Sequence, residues 1–300
     1  MRIIVLGSAA GGGFPQWNSA CPTGERAWRR DPAARWRTQC ALALSADDEA
    51  FVLLNAAPDL RQQILATPAL QPRRAPRHSP IVAAVLTSGE IDAIAGLLTL
   101  RESQRFTLYA TGAVHAVLAA NPIFRALDAD LVRRARLELE REVDVAPGLR
   151  VRPFAVPGKV ALHMEDEAVA IGAEGEDVIG LEARADDDRR LVFVPGCAAI
   201  TDALAQRLDG ASLVLFDGTL WRDDEMIRTG TGTKSGARMG HVSLSGPDGT
   251  LAALGRLAIG RRILIHLNNT NPVLLDDSPE RAAAEAAGFE VAFDGMEITL

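Results

Sequence analysis

The chain has 300 residues, 48% of them hydrophobic, with a formal net charge of -7 and a pI near 5.3. This length and composition are enough for a large hydrophobic core, and we expect a single domain spanning residues 1–300. The acidic balance argues against a nucleic-acid-binding protein, because such proteins usually present a basic face.

Membrane insertion and secretion are not expected from this sequence. No segment approaches the roughly 20 consecutive apolar residues of a membrane span, and the N-terminal stretch lacks the pattern of a secretory signal. Three widely spaced cysteines, Cys21, Cys40 and Cys197, disfavour a disulfide framework and fit a reducing compartment. We therefore expect a cytoplasmic protein without a membrane span.

The predicted elements alternate between short apolar runs and helical patterns. Strands are predicted at 3–6, 40–44, 51–54, 81–86, 150–154, 168–171, 178–182, 191–194, 213–216 and 263–266, with a final pair around Asp294 and Gly295. Helices are predicted at 59–66, 94–101, 111–120 and 199–208, from Ser245 or Asp248 to residue 257, and at 280–287 with Gly288 as the cap. This order predicts an α/β fold, a four-layer αββα sandwich whose loops converge on a site at one edge of two facing sheets.

A glycine run follows the first predicted strand. Gly11, Gly12 and Gly13 permit positive φ angles and let backbone N–H groups approach an anionic ligand. The run does not match the dinucleotide-binding pattern, and Pro15 discourages an immediate helix. We interpret it as a ligand-lining or purely structural turn.

The loop after the strand at 81–86 and the end of the strand at 263–266 carry candidate metal donors. Asp92 and His266 are the candidate catalytic and metal-binding residues, and Glu90 offers a third donor. One imidazole with carboxylates suits a mononuclear iron or manganese centre. His241 is a weaker candidate for an assisting role. The alternative is that Asp92 caps the helix predicted to begin at residue 94.

The segment 16–28 does not predict a structural zinc site. Such a site generally needs four donors, but this segment offers only Cys21, with Ser19 and Gly24 at the neighbouring positions. We expect packing of Trp17 and Trp28 to hold the loop.

Several long segments together give a resemblance that spans nearly the whole chain. They resemble the pyrroloquinoline quinone (PQQ) biosynthesis protein B family in LGSAAGGGFPQWN, LLNAAPDLRQQI, RHSPI, the loop before GLLTLRE, VPGC, DGTLWRDDEMI, MGH and IHLNNTNPVLLDDSPERA. The resemblance implies a metallo-β-lactamase fold and a place in the pathway that turns a Glu–Tyr peptide into the quinone cofactor. The family has been regarded both as a carrier of the quinone or its precursor and as an iron-dependent oxygenase.

The chain departs from the family pattern at its metal-binding motifs. The family's WNCxCxxC reads Trp-Asn-Ser-Ala-Cys-Pro-Thr-Gly from residue 17, and its Asp-His reads Asp92-Ala93. Metallo-β-lactamase-fold hydrolases carry HxHxDH, where this chain has Ser88, Glu90, Asp92 and Ala93. A hydrolytic dinuclear zinc centre is therefore not expected, and Asp92 and His266 are the donors that remain for iron.

The implied ligand is planar and carries several carboxylates, which backbone N–H groups, cations and amides bind. The candidate ligand-binding residues are Gly11, Gly12, Gly13, Arg61, Arg77, His78, Trp221, Arg222, Lys234, Asn268 and Asn269. Two hypotheses follow. The chain hydroxylates the tyrosine-derived ring of a Glu–Tyr-derived precursor with iron and O₂, or it binds and carries PQQ or the precursor without metal; other PQQ-pathway proteins are candidate partners in either case.

Overall fold

A computed structural model of the chain describes residues 1–165, 170–185 and 189–300. Within these ranges the strands are β1 Arg2–Gly7, β2 Ala41–Ser45, β3 Phe51–Leu54, β4 Ile81–Val85, β5 Phe106–Ala110, β6 Val132–Arg136, β7 Val143–Ala146, β8 Leu149–Ala155, β9 Ile179–Arg184, β10 Arg190–Val194, β11 Leu213–Asp217, β12 Arg261–Ile265, β13 Phe289–Val291 and β14 Glu297–Thr299. They form two sheets, in the orders β14-β1-β2-β3-β4-β5-β6 and β13-β12-β11-β10-β9-β8-β7.

The α-helices are α1 Pro22–Trp28, α2 Leu60–Ala66, α3 Ile91–Ile94, α4 Gly112–Ala120, α5 Asp202–Leu208, α6 Glu225–Arg228, α7 Gly236–Met239, α8 Thr250–Leu254 and α9 Pro279–Ala286. Helices α2, α4, α5, α8 and α9 pack on the outer faces of the two sheets. Short 3₁₀ helices span Pro68–Leu70, Ala95–Arg101, Pro122–Ala126, Leu162–Met164 and Pro272–Leu274. No helix in the described ranges is both long and apolar enough to cross a bilayer.

The central strands are apolar on both faces because each sheet is covered on both sides. In β10, Leu191 and Phe193 pack between the sheets, whereas Val192 and Val194 face the outer helices. The first sheet has the same pattern, with Leu60 of α2 among the residues on its outer face. The predicted four-layer αββα sandwich is thus confirmed.

The chain crosses between the sheets at both lateral edges. It passes from β6 to β7 at one edge and from β13 to β14 at the other. Asp294 lies in the second crossing and accepts hydrogen bonds from the backbone N–H and the hydroxyl of both Ser8 and Thr38. Its side chain therefore ties the β13–β14 crossing to the segments after β1 and before β2.

Parallel pairing brings the functional loops to one edge. β3 pairs parallel with β4, and β11 pairs parallel with both β10 and β12. The carboxyl ends of parallel strands meet at the same edge of a sheet, where ligands bind in many α/β proteins. The loops after these strands therefore face one another across the gap between the sheets.

Several predicted elements differ from the structure. The predicted helix at 94–101 is largely the 3₁₀ helix Ala95–Arg101, in which Gly96 lies close against the backbone carbonyls of Ala56 and Ala57. The final strands do not form a hairpin, since β13 and β14 join different sheets. Of the strand predicted at 168–171, residues 168 and 169 lie outside the described residues and the next two are not in a strand. Helix α1 and strands β5, β6 and β7 were not predicted.

The expected packing of the loop at 16–28 was also wrong in part. The Trp17 side chain is 81% exposed, so it does not hold the loop. Trp28 instead meets Trp36 edge to face, with ring centroids 5.6 Å apart. The loop is held at its buried end, where the Cys21 thiol lies 3.2 Å from the Thr23 hydroxyl and 3.3 Å from Asn269 Oδ1.

One position in β9 tests the packing on the outer face of the second sheet. Gly180 pairs with Phe154, and a Cβ at this glycine would lie 2.2 Å from the fully buried ring. We expect Gly180→Ala to destabilise the protein by about 1–3 kcal/mol, because the ring has to move in a close-packed layer. The measurement is the free energy of unfolding from urea denaturation.

Gly175→Ala is the matched control, because a Cβ there has no heavy atom within 4 Å. It should leave the unfolding free energy within about 0.5 kcal/mol of wild type. Equal stability of the two variants would contradict the close packing of Phe154 on Gly180.

Candidate metal centre and ligand cavity

A cavity of about 510 Å³ opens at the carboxyl ends of the parallel strands. Its lining comes from both sheets, so it lies where the loops of the two layers face one another. The lining residues are Ala10, Gly11, Gly12, Gln39, Cys40, Asn55, Thr87, Ser88, Glu90, Ile91, Asp92, Ala93, Gly158, Lys159, Leu162, His163, Glu165, Val178, Pro195, Gly196, Thr219, Lys234, Met239, Gly240, His241, His266 and Asn268. This volume is in the usual range of small-molecule sites.

Asp217, the last residue of β11, is fully buried behind this cavity. Its Oδ1 accepts hydrogen bonds from the Thr219 backbone N–H at 3.0 Å and the Thr219 hydroxyl at 2.6 Å. Its Oδ2 accepts from the Cys197 backbone N–H at 2.9 Å and lies 2.7 Å from His241 Nδ1. Both carboxylate oxygens are thus satisfied, as a buried charge requires.

Two imidazoles lie beside each other at this end of the cavity. The rings of His241 and His266 stack with centroids 5.3 Å apart. Thr219 Oγ1 lies between them, 3.1 Å from His241 Nδ1 and 2.8 Å from His266 Nδ1. His266 follows β12 and has a left-handed φ of 60°, a conformation that costs free energy in a residue other than glycine.

Asp92 joins the group from the opposite sheet. Its Oδ2 lies 3.0 Å from His266 Nε2, and it makes no side-chain cap to α3, which begins one residue earlier. Burial opposes ionisation of Asp92, but the hydrogen bond and charge of His266 outweigh burial and lower the pKa of the carboxyl. Burial likewise opposes protonation of His266, yet Asp92 and Asp217 raise the pKa of that imidazole. Asp92 and His266 therefore each favour the charged form of the other.

The donor set fits a mononuclear metal. Asp217, His241 and His266 each offer one donor atom, and these atoms all lie within 4.8 Å of one another. Two histidines and one carboxylate with open positions are the donor set of non-haem Fe(II) oxygenases. Metal ligands must be deprotonated, so the affinity of a metal bound there would depend on pH.

Glu90 does not lie with these donors. Its Oε1 accepts from Lys159 Nζ at 3.3 Å and from the Leu162 backbone N–H at 3.0 Å. Its carboxylate therefore holds the segment 158–165, which also lines the cavity, against the loop after β4. The structure thus places Glu90 in the cavity wall rather than in the group of possible metal donors.

The structure brings some of the predicted ligand residues to the cavity and leaves others elsewhere. Gly11, Gly12, Lys234 and Asn268 line it. Gly13, Arg61, Arg77, His78, Trp221, Arg222 and Asn269 are not part of the lining. Arg77 donates to the Glu102 carbonyl, and Arg222 pairs with Asp224.

Two backbone N–H groups of the turn at residues 11–13 already donate hydrogen bonds within the protein. Gly12 donates to Gln39 Oε1 and Gly13 donates to the Ala10 carbonyl. A Cβ on Gly11 would meet the Asp92 carboxylate at 3.6 Å, so this glycine lies directly beside the residue that contacts His266.

Comparison with known proteins places this geometry in a family. The beta-lactamase superfamily domain model matches residues 51–267. Over their full lengths, the chain is 56% identical to coenzyme PQQ synthesis protein B of Xanthomonas oryzae pv. oryzae (strain MAFF 311018) and 50% identical to that of Methylorubrum populi. The chain belongs to the coenzyme PQQ synthesis protein B family.

Solved structures agree with this assignment. The crystal structure of Zn²⁺-bound PqqB from Methylobacterium extorquens is 50% identical, covers all of both chains and superposes with a TM-score of 0.98. A diphosphatase from the PhnP family, 19% identical, has a TM-score of 0.69 over 100% of this chain and 97% of its own, which shows a shared fold. The resemblance inferred from the sequence is thus confirmed at the level of family and fold.

Sequence reasoning missed several residues of the site. Asp217 was not among the predicted site residues, which in this segment were Trp221 and Arg222. Its signal was its position, an acidic residue directly ending a buried apolar strand. Lys159 and Glu165 were missed because they lie on an irregular segment without a motif.

A buried carboxylate next to the site gives a prediction about pH. Glu225 is 4% exposed and accepts from the Trp221 and Arg222 N–H groups and the Thr270 hydroxyl. Burial outweighs these hydrogen bonds and raises the pKa of Glu225 from 4.5 to about 7. The unfolded state therefore loses this proton first, and the free energy of unfolding falls as pH rises from about 4.5 to about 7.

Glu225→Gln cannot titrate, so its unfolding free energy relative to wild type should rise by about 3 kcal/mol between pH 4.5 and pH 8. Urea denaturation at several pH values measures this difference. Glu138→Gln removes the same charge from an exposed position and is the matched control. A Glu225→Gln curve parallel to wild type would show that the carboxyl does not titrate in this range.

Proposed function

We propose that the chain acts in PQQ biosynthesis by binding a peptide-derived precursor in the 510 Å³ cavity and hydroxylating its tyrosine-derived ring at the metal-donor group. The observation that carries the proposal is the convergence of Asp217, His241 and His266 at the cavity, in a chain 56% identical to a coenzyme PQQ synthesis protein B. An iron ion held by these residues would supply the chemistry with O₂ that aromatic hydroxylation requires, in which one oxygen atom enters the ring and an external two-electron reductant converts the other to water.

The residues of the chain have separate roles in this proposal. Asp217 and the two histidines hold the metal, and Asp92 fixes the orientation of the His266 ring through the 3.0 Å contact. Asn268 and the backbone of the turn at Gly11 and Gly12 contribute polar groups to the wall around the bound ring. The end of the cavity where His241 and His266 lie is its polar end.

Cellular placement and partners belong to the same proposal. Cys21, Cys40 and Cys197 are buried and unpaired, which fits the reducing cytoplasm where we place the chain. Other proteins of the PQQ pathway would deliver the precursor or take up the product.

A metal-free carrier of PQQ or its precursor is the second candidate function. The observation that favours it is Ala93, a buried alanine in the cavity lining where the resemblance implies a histidine. Without a histidine at position 93, the chain keeps the cavity but has one imidazole donor fewer for a metal.

Metal binding tests the donor set directly. His241→Gln and His266→Gln should each weaken iron affinity by more than about tenfold, because each removes one of three protein donors. Elemental analysis and iron titration measure this change. His78→Gln, which removes an imidazole outside the cavity lining, should leave the iron content unchanged, whereas Ala93→His should raise the affinity. Equal iron content in all four variants would refute the assigned donors.

Turnover and binding separate the two functions. If the protein is a hydroxylase, iron-loaded wild type supplied with a two-electron reductant should incorporate oxygen from labelled O₂ into the precursor ring, and His266→Gln should lose this activity by at least about a hundredfold while still binding PQQ. Mass spectrometry of the product and a fluorescence titration measure the two properties. Tight PQQ binding by metal-free wild type, without any oxygen incorporation by the iron-loaded form, would support the carrier.

A further inference from the structure

Lysine is almost absent from this chain, and its positions are informative. Of the 32 basic residues only Lys159 and Lys234 are lysines, and the other 30 are arginines. Both lysines line the cavity. A chain that uses arginine for its other basic residues thus has an ammonium group at two positions of one site.

Both ammonium groups are directed at one carboxylate. Lys159 Nζ lies 2.9 Å from Glu165 Oε1, and Lys234 Nζ lies 3.4 Å from Glu165 Oε2. Arg238 Nη2 adds a third cation, 3.1 Å from Glu165 Oε2. The Glu165 and Lys159 side chains are only 10% and 9% exposed, so this pair is largely shielded from solvent, whereas Lys234 and Arg238 are partly exposed.

The described residues of this cluster include more cations than carboxylates. Lys159, Lys234 and Arg238 contact Glu165, and Glu90 lies 3.3 Å from Lys159 Nζ, so three cations face two carboxylates within the described ranges. In addition, Arg238 Nη1 is buried and has no hydrogen-bond partner among the described residues. This wall of the cavity is therefore suited to an anionic ligand group.

Lysine suits such a site for a physical reason. An ammonium group is a compact charge on a flexible stem with three rotatable donors, whereas the arginine fork is planar and fixed in its geometry. A lysine side chain can therefore rotate from one carboxylate to another without a rearrangement of the neighbouring residues. The ion pair with Lys159 and the further pairs with Arg238 and Lys234 lower the pKa of Glu165 to about 2, so that carboxylate is ionised at neutral pH.

We propose that Lys159 and Lys234 form a carboxylate-binding subsite, in which the Glu165 carboxylate occupies the anion position until a carboxylate of the ligand displaces it. This inference deepens the proposed function, because PQQ and its peptide-derived precursors carry carboxylates that would bind here while the ring extends towards the metal-donor end. Arg238, which is not part of the cavity lining, also contacts the Glu165 carboxylate and helps to position it.

The scarcity of lysine provides a direct measurement. Reductive methylation modifies the two lysines and the Met1 α-amine, and mass spectrometry follows each site separately. PQQ and benzene-1,3,5-tricarboxylate should each slow modification of Lys234, and of Lys159 where it reacts, by at least about threefold at saturation. PQQ trimethyl ester, which lacks the carboxylate charges, should not. The rate at Met1 is the internal control.

Two variants test the displacement. Lys234→Gln should weaken PQQ binding about tenfold, since it removes one charge-assisted hydrogen bond. Glu165→Gln should tighten PQQ binding, because it removes the internal competitor. Arg256→Gln, an exposed change of the same charge outside the cavity lining, should have no effect. Weaker binding in Glu165→Gln, or equal affinity for PQQ and its ester, would overturn the subsite.

The two probes separate this inference from the proposed function. Protection by the tricarboxylate without any binding of PQQ would support the subsite and remove PQQ as the ligand. Binding of PQQ without protection of either lysine would leave the proposed function standing and overturn the subsite. Absence of both binding and protection would overturn both.

Discussion

The site depends on satisfying one fully buried carboxylate, Asp217. An unpaired charge at this depth would cost several kcal/mol, so the surrounding loops are arranged to donate to it. Its partners come from the loop after β10, from its own loop and from the loop after α7, through Cys197, Thr219 and His241. The requirement to neutralise Asp217 therefore also fixes where the first imidazole lies.

From Asp217 the polar contacts continue across the cavity to the other sheet. Thr219 connects it with His266, and His266 contacts Asp92 in the loop after β4. On the same edge Asn55, in a left-handed conformation with φ of 64°, exchanges hydrogen bonds with Thr87. Residues that are held in such unfavourable backbone conformations commonly occur at functional sites, where the surrounding contacts offset the cost. Asn55 and His266 both have a left-handed φ, and both follow strands that end at the cavity.

The sequence predicted the parts of the fold that depend on local patterns. The central strands were found because burial on both faces makes them continuous apolar runs, as in 213–216. β6 was missed because its arginines face outward on an edge strand, and β7 because it has only four residues, with Asp144 among them. In the site, the pairing of Asp92 with His266 followed from loop position, since parallel strands end at one edge. The role of Glu165 could not be predicted, because it depends on contacts between segments far apart in the chain.

The two lateral crossings between the sheets determine how the cavity can change its width. The chain ties the sheets together at β6–β7 and at β13–β14, and Asp294 reinforces the second tie with four hydrogen bonds. Moving the two sheets apart would require the chain crossings at both edges to rearrange. The sandwich therefore resists a change in the distance between its sheets. The loop wall of the cavity has no such tie through the chain, and residues 158–165 are held by polar side-chain contacts with Glu90, Lys234 and Arg238. A change in the width of the cavity would therefore break contacts of the loops before it could alter the distance between the two sheets.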